Sequence, residues 1–396
     1  MASRSLRVAL VATTVSLMSI GLPTIPAAAR PDAGSSVSVS HRAVCGPPAA
    51  DQFRCHARVV TSGEPSYGTG PGGGYTPSEL RGAYGLTTSS TTTVAIVDAF
   101  DDPNAASDLA FYRNIFYPSL PALNTTGATF TQVKIGSPRT DGGWAQEISL
   151  DVDMVSAICP TCNILLVEAN SNTYSDLMAA VDYATAHANY VSNSYGSGEF
   201  STEGSLDLHF NHPGTAITFS SGDGGYGVEY PAASPYVTAV GGTSLNFSSG
   251  VRVSETAWSG AGSGCSAVEP QPTWQGSVTN ISKYCSRRAV ADVSAVADPN
   301  TGVSVYDTWR DAYGSGTGWM VFGGTSVASP IVASVYALAG NATSFGSYPY
   351  ITTLPSLFDI TSGSNGRCRR APTLCNAGPG WDGPTGLGTP NGTGSF

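Results

Sequence analysis

The chain has 396 residues, which is enough for one large domain or two of ordinary size. Only 12% of its residues are charged, and 28 acidic residues against 18 basic ones give a formal net charge of −10. This acidity argues against nucleic acid as a partner, because a nucleic-acid-binding surface is basic. The low charge and the 47 glycines are typical of an exported protein with many surface loops.

The N-terminus has the pattern of a secretory signal. Arg4 and Arg7 supply a positive start, residues 8–22 are mostly apolar, and small residues at 27–29 provide a cleavage site. We therefore expect residues 1–29 to be removed on export. The apolar run is too short for a membrane-spanning helix, and no later stretch is long enough. The mature protein is predicted to be an extracellular monomer without a membrane partner.

Eight cysteines in an exported chain predict disulfides. The cysteines occur as neighbours in sequence, which predicts four local bridges. The predicted pairs are Cys45–Cys55, Cys159–Cys162, Cys265–Cys285 and Cys368–Cys375. The spacing of Cys159 and Cys162 is also that of a redox pair. Because no thioredoxin-like pattern surrounds it, a structural clip is the preferred interpretation.

The composition divides the rest of the chain into two parts. Residues 30–75 are rich in Pro, Gly, Ser and Ala, which predicts a weakly ordered arm, either a short pro-segment or a lead-in that packs on the domain surface. Residues 76–396 are predicted to form a single domain. Over residues 93–220 short apolar strands alternate with helices. This order predicts an α/β fold with a parallel sheet, helices on both faces and three layers.

The individual elements are predicted from apolar periodicity and β-branched runs. In chain order they are a helix opening at 76–81, a strand at 93–98, a helix to about 112, a strand at 133–135, a helix over 144–157, a strand at 163–169, a helix over 174–187, a strand at 190–194, a helix near 206–211 and a strand at 215–220. Beyond residue 236 we expect loops and short strands until an apolar helix that follows Ser326. In parallel sheets, functional side chains gather just beyond the carboxyl ends of the strands.

The segment Phe322–Pro330 reads as a glycine turn that presents one serine at the start of an apolar helix. Gly323 and Gly324 allow backbone geometry that other residues avoid. Pro330 is expected in the first helical turn, which tolerates a missing N–H. A serine at a helix N-terminus lies near free N–H groups and the positive end of the helix dipole, which suits an oxyanion. The alternative is that Ser326 only caps the helix.

A nucleophilic serine needs a base, and the usual base is histidine. The chain has five histidines, which are His41, His56, His187, His209 and His212. The first two lie in the predicted arm, and a surface or capping role is the preferred interpretation of all five. The H-x-x-H pair at 209–212 has no further ligands at a suitable spacing for a metal.

Carboxylates offer a different base. Glu147 and Asp151 are four residues apart and share one face of the helix predicted over 144–157. Two close carboxyls can share a proton, which raises one pKa and provides a base at low pH; the alternative is a solvated acidic face. Asp223 follows the strand at 215–220 in a glycine-rich turn. When protonated it can donate a hydrogen bond to an oxyanion, although such a residue is commonly just part of a turn.

The order of these motifs resembles that of the sedolisin family, the serine-carboxyl peptidases, in which glutamate replaces the subtilisin histidine. The resemblance rests on E-x-x-x-D at Glu147 and Asp151, on S-S-G-D ending at Asp223 and on G-T-S-x-A-S-P around Ser326. It covers residues 76–396 and implies a subtilisin-like fold and an endopeptidase that acts on proteins or peptides at acidic pH. It also implies that Ser326 is the nucleophile, Glu147 the general base, Asp151 its supporting acid and Asp223 the oxyanion-hole acid.

Two acidic residues in the C-terminal loops point to a metal. Asp359 and Asp382, together with loop carbonyls, are the hard oxygen ligands that calcium takes. Alone this signal is weak, because Gly-Asp loops are common. The resemblance to sedolisins implies a Ca²⁺ site here, with carboxylates from Asp359 and Asp382 and backbone carbonyls from Ile360, Gly378 and Gly380.

Two alternative functions stay open at this point. The first is a subtilisin-like mechanism in which Asp98, at the end of a predicted strand, works with a histidine; against it, the chain has no H-G-T segment. The second is a catalytically silent secreted binding protein on a peptidase scaffold. The mode of activation is also open, because sedolisins usually carry a long pro-domain, and residues 30–75 are short by comparison.

Overall fold

The computed structural model describes four stretches of the chain: residues 38–310, 317–342, 345–352 and 356–396. The predicted signal at residues 1–29 lies outside them. The described residues fall in one compact unit. No helix in these stretches is long and apolar enough to cross a membrane.

The helices and strands are mostly short, and the longest strand has 11 residues. The strands are β1 (Ser40–Ala43), β2 (Arg54–Cys55), β3 (Arg58–Ser62), β4 (Thr93–Ala99), β5 (Phe130–Lys134), β6 (Asn163–Ala169), β7 (Tyr190–Asn193), β8 (Tyr195–Gly198), β9 (Ala216–Ser220), β10 (Glu229–Tyr230), β11 (Thr238–Ser248), β12 (Val251–Ala257), β13 (Gly264–Pro270), β14 (Arg287–Val290), β15 (Val293–Val296), β16 (Val303–Asp307), β17 (Gly318–Gly323), β18 (Leu357–Phe358) and β19 (Thr389–Pro390). The helices are α1 (Pro77–Ala83), α2 (Ala105–Phe116), α3 (Gly142–Ile158), α4 (Tyr174–His187), α5 (Thr273–Gly276), α6 (Thr279–Tyr284), α7 (Thr325–Ala339) and α8 (Tyr348–Ile351).

A largely parallel sheet lies at the centre of the described residues. Its strand order is β12-β11-β9-β7-β4-β6-β5, with β15 also paired to β11. Only β12 runs antiparallel to its neighbour. β4 and β7 are neighbours although β5 and β6 lie between them in sequence, so the winding of the chain reverses there. At such a switch point a crevice opens beyond the carboxyl ends of the strands.

The helices cover the sheet in two groups. α3 and α7 pack against each other and both contact β4, whereas α4 packs on β4, β6 and β7. The inner strands are buried almost throughout because helices cover them, which explains their continuous apolar runs. The predicted α/β class with a parallel sheet and layered helices is confirmed.

The N-terminal strands differ from the predicted weakly ordered arm. Between residues 40 and 62 the chain forms β1, β2 and β3, and Phe53, Cys55 and Ala57 are buried in the main core. β2 pairs with β8, and β3 pairs with β17. These hydrogen bonds are made with strands far along the chain, which composition alone does not reveal. The expected role as a pro-segment stays a prediction.

Other predictions have mixed outcomes. The four predicted disulfides are all present and are confirmed. The helix predicted near 206–211 is wrong, because short 3₁₀ turns at Glu203–Ser205 and Asp207–His209 occupy that region. Beyond residue 236 the prediction was loops and short strands. β11, however, has 11 residues and belongs to the central sheet.

Candidate active site

The residues that the sequence singled out converge at the carboxyl edge of the central sheet. Asp98 lies near the end of β4, and Asp223 follows β9. Glu147 and Asp151 lie one turn apart in α3, and Ser326 is the second residue of α7. α3 and α7 pack against each other, which brings the two carboxyls to the serine.

The N-terminus of α3 is defined by a side-chain cap. Asp141 Oδ1 accepts hydrogen bonds from the backbone N–H groups two and three residues further along, at 3.1 and 3.2 Å. This cap fixes where the helix begins. The helix is buried from residue 144 to 158, and Glu147 and Asp151 are 0% exposed. The alternative of a solvated acidic face is therefore wrong.

The turn before α7 presents Ser326 inside the protein. Gly324 is the N-cap with a φ of 97°, a conformation that favours glycine, and Ser326 makes no capping hydrogen bond. Ser326 Oγ donates to the carbonyl oxygen of Ser194 at 3.3 Å. The prediction that Pro330 lies in the first helical turn is wrong, because α7 begins at Thr325 and Pro330 lies inside it. Pro330 has no N–H for the Ser326 carbonyl, which instead accepts from Ser194 Oγ at 3.4 Å.

Glu147 is held between a backbone donor and the serine. Its Oε2 accepts a hydrogen bond from Ala57 N at 2.9 Å, and its Oε1 is buried without a partner. Burial and the charge of Asp151 raise the pKa of Glu147 well above its ordinary value, while hydrogen bonding to Ser326 and Ala57 offsets part of the rise. The Ser326 hydroxyl therefore lies near Glu147, although its Oγ donates to the Ser194 carbonyl oxygen in this structure.

Asp151 and Asp98 complete a cluster of three buried carboxyls. Asp151 Oδ1 accepts from Ser194 Oγ at 3.0 Å, whereas Asp151 Oδ2 and both oxygens of Asp98 have no partner. Burial raises the pKa of Asp98 well above its ordinary value, and the charges of Asp151 and Glu147 add to the rise. Burial also raises the pKa of Asp151. Three such groups cannot all ionise, so the cluster retains protons as the pH rises.

Asp223 is fixed against the start of α7. Its Oδ1 accepts from the backbone N and the Oγ1 of Thr325, at 2.8 and 3.1 Å. The residue is partly exposed, but its Oδ2 atom is buried without a partner. Burial raises the pKa of Asp223, and the hydrogen bonds from Thr325 offset part of the rise. A protonated Oδ2 can donate a hydrogen bond into the site.

The histidines do not provide a base. His56 is buried, so the surface or capping role predicted for it is wrong. Its Nδ1 lies 2.7 Å from Ser220 Oγ and its Nε2 lies 2.9 Å from Glu229 Oε2, so both ring nitrogens are occupied. Within the part of the chain that the structure describes, neither oxygen of Asp98 has a hydrogen-bond partner, so the alternative pairing of Asp98 with a histidine is wrong.

Comparisons with known proteins agree with this geometry. The sequence profile of the subtilase family matches residues 135–347, which is more than half of the chain. Kumamolisin from Bacillus sp. (strain MN-32) is 30% identical over 416 residues, covering 94% of this chain and 71% of that protein. Sedolisin from Pseudomonas sp. (strain 101) is 35% identical over 209 residues, covering 44% of this chain and 33% of that protein. The chain belongs to the sedolisin family.

The structure of a sedolisin leads to the same conclusion. Pseudomonas sedolisin, a serine-carboxyl proteinase complexed with two molecules of pseudo-iodotyrostatin, matches with a TM-score of 0.67 and 25% identity, over 80% of this chain and 95% of that chain. Tripeptidyl-peptidase 1 from Canis lupus familiaris is 27% identical, and the match spans 80% of this chain and 63% of that protein. The present chain is therefore a serine-type peptidase with a subtilisin-like fold.

Three residues of the candidate site were not predicted from the sequence. Ser194 links Asp151 to Ser326, and its place at the end of a predicted strand was a signal that could have found it. Glu229 binds His56, and Ala57 contributes only a backbone N–H. No side-chain pattern can indicate a backbone donor, so Ala57 could be found only in the structure.

The predicted calcium ligands lie together in the C-terminal loops. Asp382 Oδ2 accepts from Gly378 N at 3.0 Å, and Asp359 Oδ2 accepts from Gly380 N at 2.9 Å. Burial raises the pKa of Asp382 to about 7, and the charge of Asp359 adds to the rise. The described residues contain no group of three or more His, Cys, Asp or Glu side chains suited to a metal. Two adjacent carboxylates nevertheless fit a hard cation when loop carbonyls complete the ligand set.

Proposed function

We propose that this sedolisin is a secreted serine-carboxyl endopeptidase that hydrolyses peptide bonds of proteins or peptides at acidic pH. The observation that carries the proposal is the position of Glu147, a buried carboxyl of α3 near the Ser326 hydroxyl at the start of α7, the helix that packs against α3. Among the described residues, the nearby His56 does not compete as a base, because both of its ring nitrogens contact other groups.

In the proposed reaction, Ser326 Oγ attacks the substrate carbonyl and Glu147 takes its proton. Asp151 supports Glu147, because a neighbouring carboxyl that retains a proton lets the pair carry one negative charge between them. Ser194 orients the serine, since its carbonyl accepts from Ser326 Oγ and its hydroxyl donates to Asp151. The result is an acyl-enzyme that water then hydrolyses.

Asp223 is the proposed donor to the oxyanion. Its Oδ1 is occupied by Thr325, which leaves the buried Oδ2 free to donate when it carries a proton. A donor positioned at the developing charge contributes to catalysis because it is already oriented. This role requires the protonated form, and the raised pKa of Asp223 extends that form to higher pH than for an ordinary aspartate.

The pH profile follows from two requirements: Asp223 must be protonated, and the cluster that contains Glu147 must keep one ionised carboxyl to act as the base. Activity is lost as the pH rises through the pKa of Asp223, because the ionised carboxylate cannot donate. It is lost at the acid end when the cluster of Glu147, Asp151 and Asp98 has taken up its last proton, because no base remains. We therefore expect a bell-shaped profile with its maximum well below neutrality.

Calcium is proposed to hold the C-terminal loops. Asp359 and Asp382 would supply carboxylates, and Ile360, Gly378 and Gly380 would supply backbone carbonyls. The bound ion would neutralise the two adjacent carboxylates and so stabilise the loops in which they lie. Its role is structural and enters no step of the proposed reaction.

The proposed function is tested by cleavage of a mixed peptide library from about pH 2 to about pH 9, with Ser326→Ala beside the wild type. Acidic cleavage that disappears in the variant is the expected result, and cuts within peptides would identify an endopeptidase. A plateau of activity extending above about pH 8 would contradict Glu147 as the base. A folded wild type that cleaves no peptide would instead support the silent binding scaffold.

A further inference from the structure

A fourth buried carboxyl lies beside the three-carboxyl cluster of Glu147, Asp151 and Asp98. Glu168 of β6 is paired in register with Asp98 of β4. Residues in register on two parallel strands project from the same face of the sheet, and neighbouring strands are about 4.8 Å apart. Both residues are fully buried. The carboxyl of Glu168 therefore extends the cluster by one strand across the sheet.

One oxygen of Glu168 is fixed by two donors. Its Oε1 accepts from the backbone N of Asp102 at 2.8 Å and from Nε2 of Gln132 at 2.9 Å. The Gln132 amide also donates to the Asp102 carbonyl at 3.0 Å, which holds this donor in place. The other oxygen, Oε2, is buried and has no hydrogen-bond partner among the described residues.

The free oxygen of Glu168 is the one that carries a proton in acid. Burial raises the pKa of Glu168 to about 7, and the charge of Asp101 adds to the rise, while its hydrogen bonds and the charge of Lys134 offset part of it. Glu168 is therefore neutral at the acidic pH of the proposed reaction. Because Oε1 already accepts two hydrogen bonds, the proton belongs on Oε2. Glu168 then offers an O–H donor inside the protein.

Asp98 offers the matching acceptors. In the part of the chain that the structure describes, both oxygens of Asp98 are buried without a partner, and so is Oδ2 of Asp151. Burial raises the pKa of Asp98, and the charges of Asp151, Glu147 and Glu168 add to the rise. Asp98 thus interacts with the cluster on one side and with Glu168 on the other.

The remaining ionisable groups around this pair have partners of their own. Lys134 of β5 is in register with Glu168, but its ammonium pairs with Asp101 at 2.6 Å. The two oxygens of Asp102 accept from Asn104 N at 2.9 Å and from Ser149 Oγ of α3 at 3.3 Å. None of these contacts supplies a donor to Glu168 Oε2.

Tyr195 of β8 is the ionisable group that faces Asp98 from the other side, since the charge of Asp98 raises the pKa of Tyr195 further than burial alone does. Its hydroxyl donates to Asn193 Oδ1 at 3.0 Å and so does not donate to Asp98. Glu168 is therefore the donor best placed for the Asp98 carboxyl.

We propose that Glu168 is a positioning residue for the peptidase reaction, and that its protonated Oε2 donates a hydrogen bond to Asp98. This inference rests on the proposed function, because it needs Glu147 as the base and a cluster that keeps one negative charge. It adds a residue from a neighbouring strand that touches neither the serine nor the substrate.

The donor favours the charged form of the three-carboxyl cluster. While the cluster carries one negative charge, a hydrogen bond donated to one of its carboxyls lowers the pH at which that charge is lost. The base is thus retained at a lower pH than three buried carboxyls alone would allow. When Glu168 ionises at higher pH, Oε2 loses its proton and places a like charge beside Asp98 instead. The support therefore operates in acid.

Two substitutions of similar size test the donor. In Glu168→Gln the amide oxygen can accept from Asp102 and Gln132, and the amide N–H can donate to Asp98, whereas Glu168→Met has no donor. Profiles of kcat and kcat/KM on one peptide are measured from about pH 2 to about pH 7. We expect the acid side of both profiles to move up by about one pH unit in Glu168→Met and to stay in place in Glu168→Gln.

Glu203→Met is the matched control. Glu203 is equally buried, and its Oε2 likewise accepts from a backbone N–H, that of Phe200, at 2.6 Å. Its charge is not among those that raise the pKa of Asp98. Glu203→Met should therefore keep the wild-type acid side, and an equal displacement in this variant would overturn the assignment to Glu168.

A second measurement does not depend on catalysis. Infrared difference spectra between about pH 4 and about pH 8 should contain a carboxylic-acid C=O band in the wild type that is absent from Glu168→Gln, because Glu168 is protonated only at the lower pH. Identical spectra for the two proteins would show that Glu168 is not a proton donor in acid. That result would overturn the proposal even if Glu168→Met does not fold.

The outcomes separate this inference from the proposed function. Acidic cleavage by the wild type, with an unmoved acid side in a folded Glu168→Met, would overturn the role of Glu168 and leave the proposed function in place. An acid side displaced equally in Glu168→Gln and Glu168→Met would overturn the role of a neutral donor. A folded wild type that cleaves no peptide at any pH would overturn both.

Discussion

Pro330 lies four residues after Ser326 in α7 and leaves the Ser326 carbonyl without its helical donor. The Ser194 hydroxyl lies 3.4 Å from that carbonyl oxygen and 3.0 Å from Asp151 Oδ1, so its one proton is shared between the two acceptors. A helix-breaking residue within a buried helix thus frees a backbone acceptor next to the candidate nucleophile. Ser326 of α7, Ser194 after β7 and Asp151 of α3 are thereby connected in one hydrogen-bond network.

Removing the Ser194 hydroxyl should impair the reaction without unfolding the protein. In Ser194→Ala, both oxygens of Asp151 would lack a donor, and we expect kcat to fall about tenfold with KM little changed. The control is Ser192→Ala, a buried serine of β7 whose hydroxyl contacts Ser329 at 3.2 Å. Equal kcat values for the two variants, measured on one peptide, would contradict the proposed positioning role of Ser194.

Asp223 should control the alkaline side of the pH profile. Asp223→Ala removes the proposed oxyanion donor, and we expect a loss of about 10²–10³ in kcat. Asp223→Asn keeps an N–H donor at every pH, so it should retain more activity than Asp223→Ala and lose less of it as the pH rises. Full pH profiles of kcat for the three proteins check this. An alkaline limb at the same pH in the wild type and Asp223→Asn would show that another group sets it.

Removal of calcium should destabilise the protein. Without the ion, Asp359 and Asp382 repel each other, and burial together with this charge raises the pKa of Asp382 to about 7. We expect chelation by EDTA to lower Tm by about 1–3 °C, as loss of about 1–2 kcal/mol would in a chain of this size. Asp359→Asn should have a lower Tm in calcium and little further response to EDTA. An EDTA response equal to that of the wild type would contradict Asp359 as a ligand.

A second acidic cluster, away from Ser326, should make the protein more stable in acid. Glu203 and Glu269 are almost fully buried, and burial together with nearby carboxyls raises the pKa of each to about 8. Both stay protonated in the folded state where the unfolded chain would ionise them. The contribution of these two groups to the free energy of unfolding is therefore fully present below the ordinary pKa of glutamate. It is lost as the pH rises from about 4.5 to about 8.

This pH dependence is measurable by chemical denaturation. Glu203→Gln and Glu269→Gln should each raise the free energy of unfolding at about pH 8 by about 1 kcal/mol, because a neutral amide avoids the cost of the charge. The gain should disappear near pH 4, where the wild-type groups are neutral. Glu64→Gln, at an exposed position, is the control. A gain of the same size at both pH values would exclude titration as its cause.

The local pattern predicted much of the fold. β6 and α4 have the predicted bounds, and β4 ends one residue later, because β-branched runs and helical periodicity are properties of neighbouring residues. The helix predicted at 206–211 is wrong, because two short 3₁₀ turns, Glu203–Ser205 and Asp207–His209, occupy that region. The candidate residues Glu147, Asp151, Asp223 and Ser326 were found from motifs, and the structure brings them together.

By itself, the sequence determined which chemistry-bearing residues the chain has, how they are spaced and the kind of fold that carries them. Spacing within one helix places Glu147 and Asp151 on the same face whatever surrounds them. Only the tertiary structure decided that both are buried, that Ser194 connects Asp151 to Ser326 and that His56 and Ala57 lie across the site. These relationships join residues that are distant in the chain, and they arise from sheet pairing and helix packing that no local pattern encodes.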